Sequence, residues 1–223
     1  MRALVVALSL AAAGCVSAQG ANDTQAPFAT VQPPAVATST NYPVAVDLPS
    51  GAYRLDPRHA SVLFRIRHEG LAWFTARFDT KDATLDLNAA DPAQSRLTAS
   101  IDANSVNTGI LNAQGERGFD RSIAGAIGAQ ATPQISFAST AIERTGQYTA
   151  RVTGDLTMNG QTHPATFDVT FDGGKTDVLR GGAVAIGFSG HASIDRTQWG
   201  VTQWGPFTGN EVQIVIEAEF THS

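Results

Sequence analysis

From Gly51 onward, apolar and polar residues alternate with a period of two, the pattern of strands with one face turned to a core. Val62, Phe64 and Ile66 are separated by Leu63, Arg65 and Arg67, so the first set points inward. The pattern returns at Ala83, Leu85 and Leu87, at Leu97, Ala99 and Ile101, and at Ile135 and Phe137. Val152, Leu156 and Met158 lead into Asn159-Gly160, the dipeptide that best tolerates the positive φ angles of a two-residue hairpin turn, and Ala165, Phe167, Val169 and Phe171 follow it. Ile186, Phe188, Gly190, Ala192 and Ile194 predict a further strand, as do Val212, Ile214, Ile216, Ala218 and Phe220. Gly173-Gly174 and Gly181-Gly182 read as turns bracketing a short exposed segment. Roughly eight to ten strands with polar outer faces argue for an all-β antiparallel barrel or sandwich. Alternation stops between Thr108 and Pro133, where Phe119, Ile123 and Ile127 fall at helical spacing. The expectation is a short helical or loop lid at about residues 110–130, over one end of the barrel.

The amino-terminal part has a different texture. Met1 and Arg2 precede an apolar run from Ala3 to Ala13, too short to span a bilayer and flanked like a secretory leader. Residues 1–18 are therefore expected to be a signal peptide, with cleavage either before Cys15, whose thiol would then be lipidated, or after Ala18. Periplasmic export follows on either reading, with membrane anchoring on the first. Residues 19–50 are rich in Ala, Thr and Pro and are expected to form an extended tether, leaving 51–223 as the barrel domain. The 223-residue chain carries a net charge of −5, and its Lys and Arg residues are scattered singly. That distribution argues against a nucleic-acid partner.

Several stretches carry recognisable wording. Tyr53-Arg54-Leu55-Asp56, His59-Ala60-Ser61-Val62 with Phe64, and His68-Glu69-Gly70 are followed in order by 132–140 (Thr-Pro-Gln-Ile-Ser-Phe-Ala-Ser-Thr), 154–160 (Gly-Asp-Leu-Thr-Met-Asn-Gly) and 194–201 (Ile-Asp-Arg-Thr-Gln-Trp-Gly-Val). Together they resemble the YceI-like family of polyisoprenoid-binding, lipocalin-like proteins, over essentially all of Gly51 to Ser223. The resemblance implies an extended eight-stranded antiparallel barrel whose hydrophobic tunnel takes a long isoprenoid chain, in a periplasmic and commonly dimeric protein. The sequence departs from the family in the lid. Of an Arg-Asp-x-His-Leu stretch usual there only Arg117 matches, and Ala126-Ile127-Gly128 replaces paired aromatics and an acid.

The candidate tunnel-lining residues are Phe64, Ile66, His68, Leu85, Leu97, Phe119, Ile123, Phe137, Leu156, Met158, Phe167, Val169, Phe188, Ile194 and Trp199. A polyisoprenoid or an isoprenoid quinone suits such walls, because burying each CH₂ group stabilises by about 0.8 kcal/mol. Ala83, Ala99, Ala150, Gly154, Ala165, Gly190 and Ala192 leave room along the axis or mark close strand approach. His68 and His191 are assigned to inward phases, but no His, Cys and Asp residues have metal-ligand spacing, so no metal or other cofactor is expected. Asp195-Arg196 reads as a strand-end ion pair. No nucleophile elbow is present, and alternation sends Ser189 outward although His191 is close in sequence, so no catalytic residues are assigned. The competing class is a barrel enzyme using His68 or His191 as acid or base, and a third is a structural module with a filled interior.

Overall fold

A computed structural model of the protein describes residues 48–178 and 181–222. The expected leader, the expected cleavage sites at Cys15 and Ala18, and the expected tether up to residue 47 lie outside the described residues. Among the described residues, ten strands form one antiparallel sheet: β1 (Gly51–His68), β2 (Ala72–Phe78), β3 (Lys81–Leu87), β4 (Arg96–Asp102), β5 (Val106–Asn107), β6 (Gln134–Arg144), β7 (Thr149–Met158), β8 (Gln161–Asp177), β9 (Ala183–Asp195) and β10 (Thr208–His222). β10 pairs with β1, Phe64 opposite Ile214, and closes the sheet on itself.

The ten strands make eight barrel staves. β2 pairs with the second half of β1 (Leu63↔Arg77 to His68↔Ala72) and β3 with its first residues (Gly51↔Leu87 to Arg54↔Thr84). Both run antiparallel to β1, so they are one stave kinked at Asp79-Thr80. β4 and β5 are likewise one stave, broken by the 3-10 turn Ala103–Ser105. Between the kinks, residues 55–62 of β1 have no strand partner on the β2–β3 side, although Ala60 to Ile66 pair with β10. The fold is thus the expected all-β, lipocalin-like barrel with one short helix, α1 (Gly118–Ala126).

The inward faces carry the expected alternation. Asn159 (φ +51°) and Gly160 (φ +70°) close the β7–β8 hairpin between Met158 and Gln161, positive φ angles that asparagine tolerates and that glycine, lacking a Cβ, adopts freely. Gly173-Gly174 is corrected from a turn to strand: both lie in β8, opposite Gly187 and Ile186, after a bulge at Phe171. Gly174 is needed for close approach, since a Cβ there would stand 3.0 Å from Leu48 Cδ2 and 3.1 Å from Ile186 Cγ2. Leu48 to Ser50 already pack on the barrel. The Tyr53 hydroxyl donates to the Pro49 carbonyl (2.8 Å) and the Ala89 amide to Ser50 Oγ (2.9 Å).

α1 packs where the β4–β5 stave ends short of β6, with Ile123 and Ala124 buried beneath it. Its tie to the wall is Asp120, a buried carboxylate whose Oδ1 accepts from the Thr108 amide (3.0 Å) and hydroxyl (2.6 Å) just after β5. Arg117 Nη1 stands 3.5 Å from Asp120 Oδ2 and 3.8 Å from Asp79 Oδ2, bridging lid and stave kink. Asp79 also accepts from Asn107 Nδ2 and Arg77 Nε, both at 2.8 Å. Partial desolvation of Asp79 works against its charge, but those hydrogen bonds and the two guanidinium groups outweigh it and hold the carboxyl below its ordinary range.

Candidate functional site

Because small side chains alternate with aromatic ones on the inner wall, the barrel is not filled. It encloses a cavity of about 1190 Å³ that is open to solvent in part and lined mainly by apolar groups. That exceeds the roughly 300–1,000 Å³ of most small-molecule pockets. Phe74, Phe119, Ile123, Ile127, Trp204 and Phe207 line its lid end; Phe64, Phe78, Ile101, Phe137 and Phe167 its waist; Leu55, Leu85, Phe171, Ile186 and Phe188 its far end. The aromatic rings support one another edge-on, with centroids 5.2 Å apart for Phe137 and Phe167 and 5.6 Å for Phe74 and Phe119.

Fourteen of the fifteen expected lining residues border this space: Phe64, Ile66, His68, Leu85, Leu97, Phe119, Ile123, Phe137, Leu156, Met158, Phe167, Val169, Phe188 and Ile194. Trp199 is the exception. It sits in the 3-10 turn Arg196–Trp199, is fully buried, and donates from Nε1 to the Leu156 carbonyl (2.9 Å), packing behind the wall. His191 is also corrected. It lies between inward-facing Gly190 and Ala192, so its ring is exposed on the outside, 3.8 Å from Asp168, while His68 stands at the lid-end mouth. The two histidines do not share a site. Ser189 faces outward as alternation requires, its Oγ 2.6 Å from Asp172 Oδ2 and 2.8 Å from Glu217 Oε2, so that its one proton is donated to either carboxylate in turn.

The small inward residues divide by role. Ala83, Ala99, Ala150 and Gly190 border the cavity. Gly154 instead seats the Phe137 ring, where a Cβ would collide with that ring and with the Ala138 carbonyl oxygen. Ala165 and Ala192 are packed into the wall. Phe74 and Phe78, both lining, come from β2 and are additions to the expected set; the signal that marks them is the period-two alternation of Phe74, Ala76 and Phe78 with Trp73, Thr75 and Arg77.

Asp195 and Arg196 are not a simple ion pair. Asp195 caps the turn, accepting from the Thr197 amide (2.9 Å) and hydroxyl (2.6 Å), which lower its pKa. Arg196 is buried and donates to the carbonyls of Gly209 (2.9 Å), Val201 (2.7 Å) and Gln203 (2.9 Å) and to Thr208 Oγ1 (3.0 Å). Burial pulls its pKa down and the Asp195 charge opposes that. The guanidinium thus fixes the loop that carries Trp204 and Phe207 to the cavity mouth. Outside the cavity, the β1 bulge between Leu55 and Ala60 brings Asp56, His59 and Glu219 within 4.8 Å of one another. Sequence spacing could not show this, since Glu219 comes from β10. Within the trio His59 Nδ1 is already hydrogen-bonded to Asp56 Oδ2 at 2.9 Å.

A closed antiparallel barrel with a lidded, aromatic-lined interior defines the lipocalin-like class. Residues 53–220 match the YceI-like domain. The chain belongs to that family. It is 31% identical over 170 residues to Protein YceI of Escherichia coli O17:K52:H18, a match covering 75% of this chain and 85% of that protein. Among solved structures it resembles Burkholderia cenocepacia BcnA (TM-score 0.63, 23% identity, 74% of this chain and 98% of the other). It also resembles a polyisoprenoid binding domain from Saccharophagus degradans implicated in plant cell wall breakdown (TM-score 0.55, 12% identity, 78% and 100%).

Proposed function

We propose that this protein binds a polyisoprenoid or a similarly long apolar lipid, isoprenoid quinones included, inside its barrel, and stores or carries it in the bacterial periplasm without catalysing a reaction. The observation that carries the reading is the cavity of about 1190 Å³ with an apolar, aromatic lining running from lid to far end. Each isoprene unit moved from water into such walls gains roughly 4 kcal/mol gross, from about 0.8 kcal/mol per carbon, before ordering costs are subtracted. A long flexible hydrocarbon is the ligand class for which that gain outruns the ordering cost. The polyisoprenoid-binding Saccharophagus domain of like fold supports the same ligand class. Periplasmic placement rests on the leader, and anchoring on lipidation of Cys15 if cleavage falls before it. The fourteen bordering residues are the proposed contacts. Of the two histidines that an enzyme reading would use as acid or base, His191 is exposed on the outside of the barrel and His68 borders the cavity at its mouth.

The test is organic extraction of protein purified from a bacterial host, followed by mass spectrometry and by uptake of added polyprenol or quinone. A long-chain isoprenoid in the extract, reloadable after removal, is the expected result. An empty extract and no uptake of either lipid would overturn it.

A further inference from the structure

We infer that the lid end of the barrel is a membrane-docking face, with an anionic bilayer surface as its occupant. The surface stands on its own geometry; only its purpose, passing a lipid between bilayer and cavity, rests on the reading above.

Five large apolar side chains are exposed at this end: Leu71, Ile110, Leu111, Phe119 and Phe207. Hydrogen bonds and a ring contact link the segments that carry Leu71, Phe207, Phe119 and Ile110. Leu71 is in the β1–β2 turn, and the amide of Glu69 in that turn donates to the Phe207 carbonyl (2.7 Å). The Phe207 amide donates to Trp204 (2.8 Å), whose ring lies 6.3 Å from that of Phe119 on α1. Ile110 is held to the start of the lid through Thr108, which bonds Asp120. An apolar rim of this kind on a soluble domain marks a contact surface.

Two features select a bilayer. The rim runs into the cavity, because Phe119, Trp204 and Phe207 both border it and reach the outer surface, so a chain could move between the two without crossing water. Next to the rim stand two arginines that no carboxylate engages among the described residues, although the chain as a whole is at −5. Arg65 and Arg67 stack over Trp73, 5.1 and 5.2 Å from its ring, and neither meets a carboxylate among the described residues. Of the neighbouring acids, Glu116 faces Arg121 (3.9 Å), Glu211 accepts from Ser193 (2.8 Å), and Glu69 stands in the turn itself. Aromatic rings with arginines beside an apolar edge suit the headgroup region and attract anionic lipids.

The test floats the exported chain carrying Cys15→Ser, so that no acyl anchor contributes, with vesicles of phosphatidylethanolamine and phosphatidylglycerol or of phosphatidylcholine alone. The expected result is salt-sensitive flotation favouring the anionic vesicles, with tryptophan fluorescence quenched by brominated acyl chains. Leu71→Ser with Leu111→Ser should weaken partitioning roughly tenfold or more. Neither side chain borders the cavity, so lipid uptake should not change. Val178→Ser, 82% exposed at the opposite end, should float like the parent. Absence of flotation in a chain that still yields and reloads lipid overturns the docking face and leaves the lipid-binding reading standing. Equal loss with Val178→Ser, or rim-dependent dimers without vesicle binding, also overturns it.

Discussion

Gly190 lies at the waist of the barrel in β9, and an added Cβ would sit 3.8 Å from both Ile216 Cβ and Val169 Cγ2, ordinary van der Waals contact. A leucine side chain placed there extends into the cavity. In the lipid-free protein, Gly190→Leu buries apolar surface worth roughly 1.5–3 kcal/mol and removes a strand glycine that weakens folding by about 0.5–1 kcal/mol. The net expectation is stabilisation of about 2–4 kcal/mol, at about 2–4 °C in Tm per kcal/mol for a domain of this size. The same four carbons displace a like volume of ligand, about 3 kcal/mol, which is roughly a hundredfold loss of affinity. The assay pairs urea unfolding of delipidated protein with titration by a fluorescent polyprenol. A solid core predicts the reverse, destabilisation by about 1–3 kcal/mol from overpacking. Lower stability with unchanged lipid affinity would therefore refute the open interior.

Gly154→Ala, in β7, should destabilise by about 1–3 kcal/mol in the same unfolding assay, because its methyl meets the Phe137 ring and the Ala138 carbonyl. Arg196→Met should cost about 3 kcal/mol by stranding three carbonyls. The lining loop should also loosen, seen as faster amide exchange at 201–209. The folded pKa of Asp79 lies below its unfolded value, so its contribution is complete above the unfolded value and is lost as pH falls through the folded one. Urea midpoints taken downward from about pH 5 should fall less steeply in Asp79→Asn than in the parent.

The strands were legible because barrel walls impose period two directly on the sequence, and Phe64, Phe137, Phe167 and Phe188 could be placed inside from phase alone. α1 was legible for the same reason at helical spacing, from Phe119, Ile123 and Ile127. Errors came where local backbone breaks the period. Trp199 is the last residue of a 3-10 turn, so its direction is not inherited from β9, and the bulge at Phe171 hid the continuation of β8 through Gly173-Gly174. His191 was misassigned against the phase of its own strand, which Gly190 and Ala192 define. Arg196 needed the fold itself, because its acceptors span 201–209, and the Asp56, His59 and Glu219 trio needed β1 beside β10.

Between Arg54 and Leu63, β1 has no strand partner on the β2–β3 side. Elsewhere, widening the barrel would mean stretching backbone ladders all round the ring; here it works as an expansion joint. The far hoop, tied through β1 and β3, and the lid hoop, tied through β1 and β2, can change girth independently without breaking a strand pair. For the proposed lipid site, a joint of this kind predicts discrimination by chain length and greasiness more than by cross-section.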